Sequence, residues 1–471
     1  MSIGWKFAEA TELSGGNHSA IDTFAGTRVH SMVREIIQNS LDAKDESTTE
    51  PVRVTFSLTE IARSEIDGLD DLTDHLTACE SMAREKQNNE KQAKFYTGAI
   101  KTLKKKKVSV LCVSDFNTTG LTGSTRLQDA SGQWLALTKG VGFTQKTGGS
   151  LGSFGHGSKA PFTMSPLRSI YYLTDTKNLD GKNETRFQGK SLLQSHLIGE
   201  ELLDGTGYYG LLDGASPLID SAVPGWATSL RVKDGEGNGT SIIIPYTDFD
   251  KDLFPETLIT VIANFYYVFT LGKLEVVVNG QTISKDNCEE VFNEAKKRFP
   301  DEQEGIDVNL TTGRFKTIDT ILNPDHRGSQ EIPGFGRIDW CLCVGGDNID
   351  GKLVSVARES GMFITSKAPY LQRFAGKKSF DMFVYVSPGK GSNVLKDLEN
   401  PEHDMFQLER INDKKERDAV DKLYRKFTET VKDVINRYAA IEQTDETVIE
   451  DFDQIYSRSV DSDGNNKSSE R

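Results

Sequence analysis

Apolar residues recur at three- and four-residue spacing early in the chain. Val33, Ile36, Ile37 and Leu41 form one stripe, with no Gly or Pro between them. That period predicts a helix over about 27–44. Upstream, Trp5, Phe7, Ile21 and Phe24 stand among glycines and polar residues. They suggest an arm or short strand, read either as an edge segment or as a strap that crosses to a second copy. Residues 52–58 alternate and are rich in β-branched side chains, so they predict a strand. Residues 71–104 are polar and helix-prone, and 108–114 form a buried-type strand that ends at Asp115. Strand patterns return at 169–173, 191–193 and 239–245, before an apolar helix at 254–271.

From Lys273 the pattern changes. Residues 274–278 with Asn279-Gly280 carry a hairpin signal, and a helix is expected at 285–298. Further strands are expected at 315–318, 336–343, 353–358 and 382–386, with a short helix opening at 388–392. Residues 406–441 read as one or two charged helices. Beyond Glu442 the chain is acidic and then rich in Ser, Asn and Asp, a composition expected to be disordered. There is no internal repeat. The expected class is α+β. An α/β unit spans 1–252, a second α+β unit 253–400, C-terminal helices 401–445 and a tail 446–471.

Length and charge narrow the function. A chain of 471 residues favours two or three domains. With 56 basic and 70 acidic residues the net charge is −14, which argues against a surface built mainly for nucleic acid. Lys104–Lys107 form a basic run that suits either solvation or phosphates. Five cysteines without Cys-x-x-Cys spacing suggest reduced thiols, and seven scattered histidines give no metal-ligand spacing. No apolar run is read as a membrane span and no signal-peptide core is seen, so a cytoplasmic protein without a membrane partner is expected.

The candidate chemistry lies in four places. Glu35, Asn39 and Asp42 fall at i, i+4 and i+7, on one side of the first helix. Such a set suits either a solvated polar face or a hydrated Mg²⁺ ion, which prefers oxygen ligands and keeps several waters. Asp115 ends a strand before the turn-rich loop 116–123. It can cap a turn or accept a hydrogen bond from an adenine amino group, worth about 1.5–3 kcal/mol. Residues 130–150, punctuated by glycines, have the character of a lid. They run into Gly152-Ser153-Phe154-Gly155-His156-Gly157-Ser158-Lys159, where backbone N–H groups can face an anion. This is neither a Walker A loop nor a Rossmann fingerprint. Thr240, in a Gly-Thr pair leading into a strand, can share a contact with Asp115 or simply favour the strand.

In this order the four elements resemble the GHKL superfamily: gyrase B subunits, ninety-kilodalton heat-shock chaperones, MutL-type proteins, MORC ATPases and sensor histidine kinases. The resemblance covers roughly residues 1–250, and the lid style is nearest the chaperone and MORC branches. It implies a Bergerat-type α/β sandwich, with a mixed sheet carrying helices on one face, followed by a transducer-like domain. It implies ATP and Mg²⁺ as ligands. Glu35 then matches the water-activating base and Asn39 the Mg²⁺ ligand. Asp42 and Ala43 complete the Asn-x-x-Asp-Ala pattern, and Asp115 matches the adenine-reading carboxylate. Gly152, Gly155 and Gly157, with Ser153, Phe154, His156, Ser158 and Lys159, match the phosphate loop, and Thr240 the supporting threonine. The family's Asp-x-Gly-x-Gly motif is altered here to Asp115-Phe116-Asn117-Thr118-Thr119-Gly120. Asn117 is expected to stand in for the missing glycine, since Asn tolerates positive φ. Arg358 and Lys390 are the candidates for a cation reaching the terminal phosphate.

The implied activity is ATP hydrolysis that drives homodimerisation and signals to a protein effector, in a chaperone-like, stress or antiviral-defence setting. Two alternatives are a nucleotide-gated module without hydrolysis and a DNA-associated ATPase like MutL or the topoisomerases. A histidine kinase would need a phosphoacceptor helix before the first helix.

Overall fold

The computed structural model describes residues 2–16, 18–140, 157–231, 237–247, 253–298, 308–346, 349, 351–400 and 403–441. The fold is α+β. Its strands are β1 (Ile3–Glu9), β2 (Val52–Ala62), β3 (Lys107–Phe116), β4 (Ser169–Lys177), β5 (Asn183–Leu192), β6 (His196–Ile198), β7 (Glu201–Leu211), β8 (Leu218–Ile219), β9 (Gly239–Pro245), β10 (Leu274–Val278), β11 (Gln281–Ile283), β12 (His326–Ile332), β13 (Gly336–Val344), β14 (Lys352–Ala357), β15 (Phe363–Thr365) and β16 (Phe380–Val386). Its helices are α1 (Ser19–Asp22), α2 (Arg28–Asp42), α3 (Leu69–Ser81), α4 (Glu90–Leu103), α5 (Gln133–Thr138), α6 (Gly225–Leu230), α7 (Leu253–Thr270), α8 (Cys288–Arg298), α9 (Val308–Leu322), α10 (Lys390–Leu398) and α11 (Lys414–Tyr438).

An 11-stranded mixed sheet runs β1-β7-β5-β4-β9-β3-β2-β10-β11, with β6 on β7 and β8 on β5. β10 lies parallel to β2, Leu274 beside Val52. β3 is apolar at successive positions because both its faces are covered. Leu111 and Val113 meet α2 and α7, while Val110 and Cys112 meet α3 and α4. Helices therefore lie on both faces of this sheet, not on the single face expected. The helix-prone stretch 71–104 folds back as the pair α3–α4 and supplies Leu72, Leu76, Tyr96 and Leu103 to the second face.

A 5-stranded sheet, β12-β13-β16-β14-β15, forms the second layer. One face packs on α10 and α11, through Val394, Tyr424, Phe427 and Val431. From the other, Phe383 and Tyr385 join the same core as α2 and α7. Helix α7 is long and apolar enough by length and composition to cross a membrane, which the sequence pattern had not suggested. It is packed inside the protein, 67% buried.

Two further differences from the sequence reading follow, and one of its two alternatives for the N-terminal segment is the one observed. Residues 315–318, read as a strand, lie within α9, because Phe315 and Ile318 share a buried face at helical spacing. The large sheet does not stop near 252, since β10 and β11 extend its edge to residue 283. The N-terminal segment pairs antiparallel with β7 of its own chain and buries Trp5 and Phe7. Residues 406–441 contain one long helix, α11, whose N-cap Asp413 accepts from the Glu416 N–H at 2.8 Å. The tail at 446–471 lies outside the described residues.

Asp381 sits on β16, the central strand of the second sheet, 5% exposed, and neither carboxylate oxygen has a well-formed hydrogen bond among the described residues. Burial pushes its pKa up to about 7, against the nearby Thr320 hydroxyl and Lys316 ammonium. A carboxyl with a raised folded-state pKa binds more protons folded than unfolded. Stability should therefore fall as pH rises from about 4 to about 7. Asp381→Asn is expected to flatten that fall and to raise the melting temperature at pH 7.5 by several degrees. Thermal denaturation across this pH range measures both.

Candidate functional site

A cavity of about 1060 Å³ opens between α2, the large sheet and the second unit. Helix α2 creates it by dividing its faces. Val29, Met32, Val33, Ile36 and Ile37 enter the core, while Glu35, Asn39 and Asp42 line the cavity, followed by Ala43 and Lys44. Asn39 Nδ2 donates to Glu35 Oε1 at 3.0 Å. That bond leaves Asn39 Oδ1 as the atom free to face a cation. Among the described residues no group of three or more His, Cys, Asp and Glu side chains is placed to hold a metal ion. The donor set at α2, an amide oxygen between two carboxylates, fits an ion whose other ligands come from water and a bound substrate.

Gly157 begins the segment that faces α2, and a Cβ there would fall on the Glu35 carboxylate. Glycine at 157 is thus required by the close approach of backbone to acid. Ser158 also lines the cavity. Lys159 does not. Its side chain meets Lys190 on β5, which is 1% exposed, makes no hydrogen bond to an acceptor among the described residues and lies near Lys139. Burial lowers the pKa of all three lysines, that of Lys139 to about 7. Gly152, Ser153, Phe154, Gly155 and His156 lie outside the described residues, as does the lid expected at 130–150 beyond residue 140; α5 forms its first part.

Asp115 is the most constrained acid of the cavity. Its Oδ1 accepts from the Thr118 hydroxyl at 2.6 Å and the Thr240 N–H at 2.8 Å, and its Oδ2 from the Ser40 hydroxyl at 3.0 Å. Burial raises its pKa, opposed by these donors and by the Arg231 guanidinium. Beyond these polar partners the cavity lining turns apolar, with Val113, Leu137, Ile242 and the ring of Tyr172 forming a slot. Oδ2 accepts a single bond among the described residues, from Ser40, and a carboxylate oxygen has two lone pairs. Thr240 serves Asp115 through its main chain, and its hydroxyl lies 3.2 Å from that of Thr174. Asn117 adopts φ +61° and donates from its side chain to the Pro51 carbonyl at 2.8 Å. It shapes the loop without lining the cavity. Gly120, at φ +63°, lines it, and a Cβ there would strike the Asp175 carbonyl.

Neither cation expected from the second unit lines the cavity. Arg358 is fully buried and paired with Glu399, Nε to Oε1 at 2.6 Å. Lys390 opens α10. Besides Lys44 on the first unit, the basic side chains that line it among the described residues are Lys273, beside β10, and Lys396, further along α10, with His403 next to them. Sequence reasoning also missed Ser40 and Thr118, the hydroxyl partners of Asp115. Ser40 carried a signal: it follows Asn39, on the flank of the helix that turns toward the sheet.

Compared with known proteins, the chain matches no family model and no curated protein sequence.

Burial opposes ionisation of Glu399, but Arg358 and His403 outweigh it and hold the pKa at about 2. The stabilisation is full above the ordinary value of 4.5 and disappears as pH falls through about 2. Arg358→Met strands that carboxylate and should remove about 3–5 kcal/mol in urea denaturation. Lys396→Met should stay within about 0.5 kcal/mol of the parent. Lys190→Met replaces a buried amino group, without an acceptor among the described residues, by an apolar chain, and the expected result is a higher melting temperature at pH 7 by calorimetry.

Proposed function

We propose that the cavity binds a magnesium-chelated purine nucleoside triphosphate, ATP, and that the protein hydrolyses it as a GHKL-type ATPase with a Bergerat-type fold. The observation that supports this most is Asp115: a buried carboxylate that lines the cavity, ringed by hydroxyls and with the apolar slot beyond them, whose Oδ2 takes one hydrogen bond among the described residues, from Ser40. An aromatic ring carrying an exocyclic amino group matches that shape and polarity, and a purine has both. A hydrogen bond to a charged acceptor supplies the base selection.

At the other end Asn39 Oδ1 would hold the Mg²⁺ ion, which would supply positive charge to neutralise the phosphates beside Glu35 and Asp42. Glu35 accepts a proton from water, a role typically worth about 10²–10⁴-fold. Asn39 Nδ2 orients the Glu35 carboxylate, and the glycine at 157 lets the phosphate segment approach it. Lys396 from the second unit and Lys273 from the edge of the large sheet take the place expected for Arg358 and Lys390 and face the terminal phosphate. On the same reading, nucleotide favours pairing of two copies and signalling to a protein effector.

Calorimetry with ATP and ADP tests the pocket, and a phosphate-release assay tests the chemistry. Asp115→Asn turns the acceptor into an amide and should weaken both nucleotides about 10-fold or more. Glu35→Gln should keep binding and lose at least about 100-fold in turnover. No binding by the parent protein would remove the nucleotide reading. Binding without phosphate release, with a nucleotide-dependent shift in size by light scattering, would favour the non-hydrolysing module.

A further inference from the structure

His403 has a backbone that side chains rarely adopt, φ +53°. The turn that imposes it is tightly held. Asn400 Oδ1 accepts from the N–H groups of Asp404 and Met405 at 2.9 and 3.0 Å, and the Asn400 carbonyl accepts from the His403 N–H at 3.0 Å. The imidazole is held as firmly, with Nδ1 2.6 Å from Glu399 Oε2, the carboxylate that Arg358 keeps ionised. His403 lines the cavity, and its carbonyl accepts from Arg34 Nη2 at 2.7 Å. Strain held by several independent ties is commonest where a side chain must be aimed.

The aim follows from α2. At about 100° per residue, Ser40 and Gln38 fall on opposite flanks of the stripe that carries Glu35 and Asn39. Ser40 reaches Asp115, whereas Gln38 Nε2 lies 3.2 Å from His403 Nδ1. The acid at the slot and the imidazole therefore stand on opposite sides of the Glu35–Asn39 stripe. We propose that His403 is a binding residue for the terminal phosphate: with Nδ1–H given to Glu399, the imidazolium donates from Nε2 to a phosphate oxygen. This rests on the nucleotide reading above. It adds a discriminator between triphosphate and diphosphate, and it ties that contact through the Arg34 bond to the helix bearing the base.

His403→Gly suits φ +53° and removes only the ring, and His403→Asn offers a second side chain that tolerates this backbone. Calorimetry on the full chain with ADP and with a β,γ-imido analogue of ATP reads the effect. Both variants should bind ADP within about 2-fold of the parent and the analogue about 10-fold more weakly. Added imidazole should restore part of the loss in His403→Gly. Unchanged affinity for the analogue would overturn the proposal, and so would equal weakening of both nucleotides, which marks a wall residue. If the parent binds neither nucleotide, the reading of the cavity itself falls and this inference with it.

Discussion

Arg34 precedes Glu35 by one residue and points away from it. Its guanidinium is 5% exposed and donates to Asn264 on α7, to the Phe363 carbonyl on β15 and to the His403 carbonyl. Burial lowers its pKa, and Asp404, Glu399 and Glu35 oppose that. Only a planar, five-donor cation can tie three elements from three parts of the chain at one point. A partner lost from such a buried set leaves charge or donors uncompensated, so α2, α7 and the second sheet are held as a group.

Two consequences follow for the cavity. The second unit is brought against the first within one chain, so Lys273, Lys396 and His403 share a wall with Glu35 and Asn39. A chain of net charge −14 thereby places cations beside the acids of α2. The apolar side of α2 is also fixed from behind by α7, and that rigidity holds the Glu35, Asn39 and Asp42 stripe in register with β3. Asp115 sits at the end of that strand, and Ser40 bridges helix to acid at 3.0 Å.

The elements most legible in the sequence were those whose period was long or whose flanks carried turn chemistry. Helix α2, strand β3 and the hairpin of β10 and β11 follow from local pattern, because burial of one face imposes one period. The α2 stripe was equally legible, since residues at i, i+4 and i+7 share a side on any helix. The strand expected at 315–318 fails for the same reason in reverse: four residues are too few to distinguish a strand from a helix, and packing against α7 decides. Arg358 and Lys390 were chosen by their place near strand and helix ends, and sequence position says nothing of which way a long side chain turns. Glu399, 41 residues away, claims Arg358.

The sequence by itself determined the class of the fold, several of its main elements and the grouping of polar atoms on α2. These are short-range properties, set by steric period and by the exclusion of apolar side chains from water. Tertiary structure alone decided that Ser40 and Thr118 serve Asp115, that helices cover both faces of the sheet, and that His403 meets the first helix across 365 residues. Those contacts join positions distant in the chain, and their partners are chosen by packing and by the need to satisfy buried charge, neither of which a local pattern encodes.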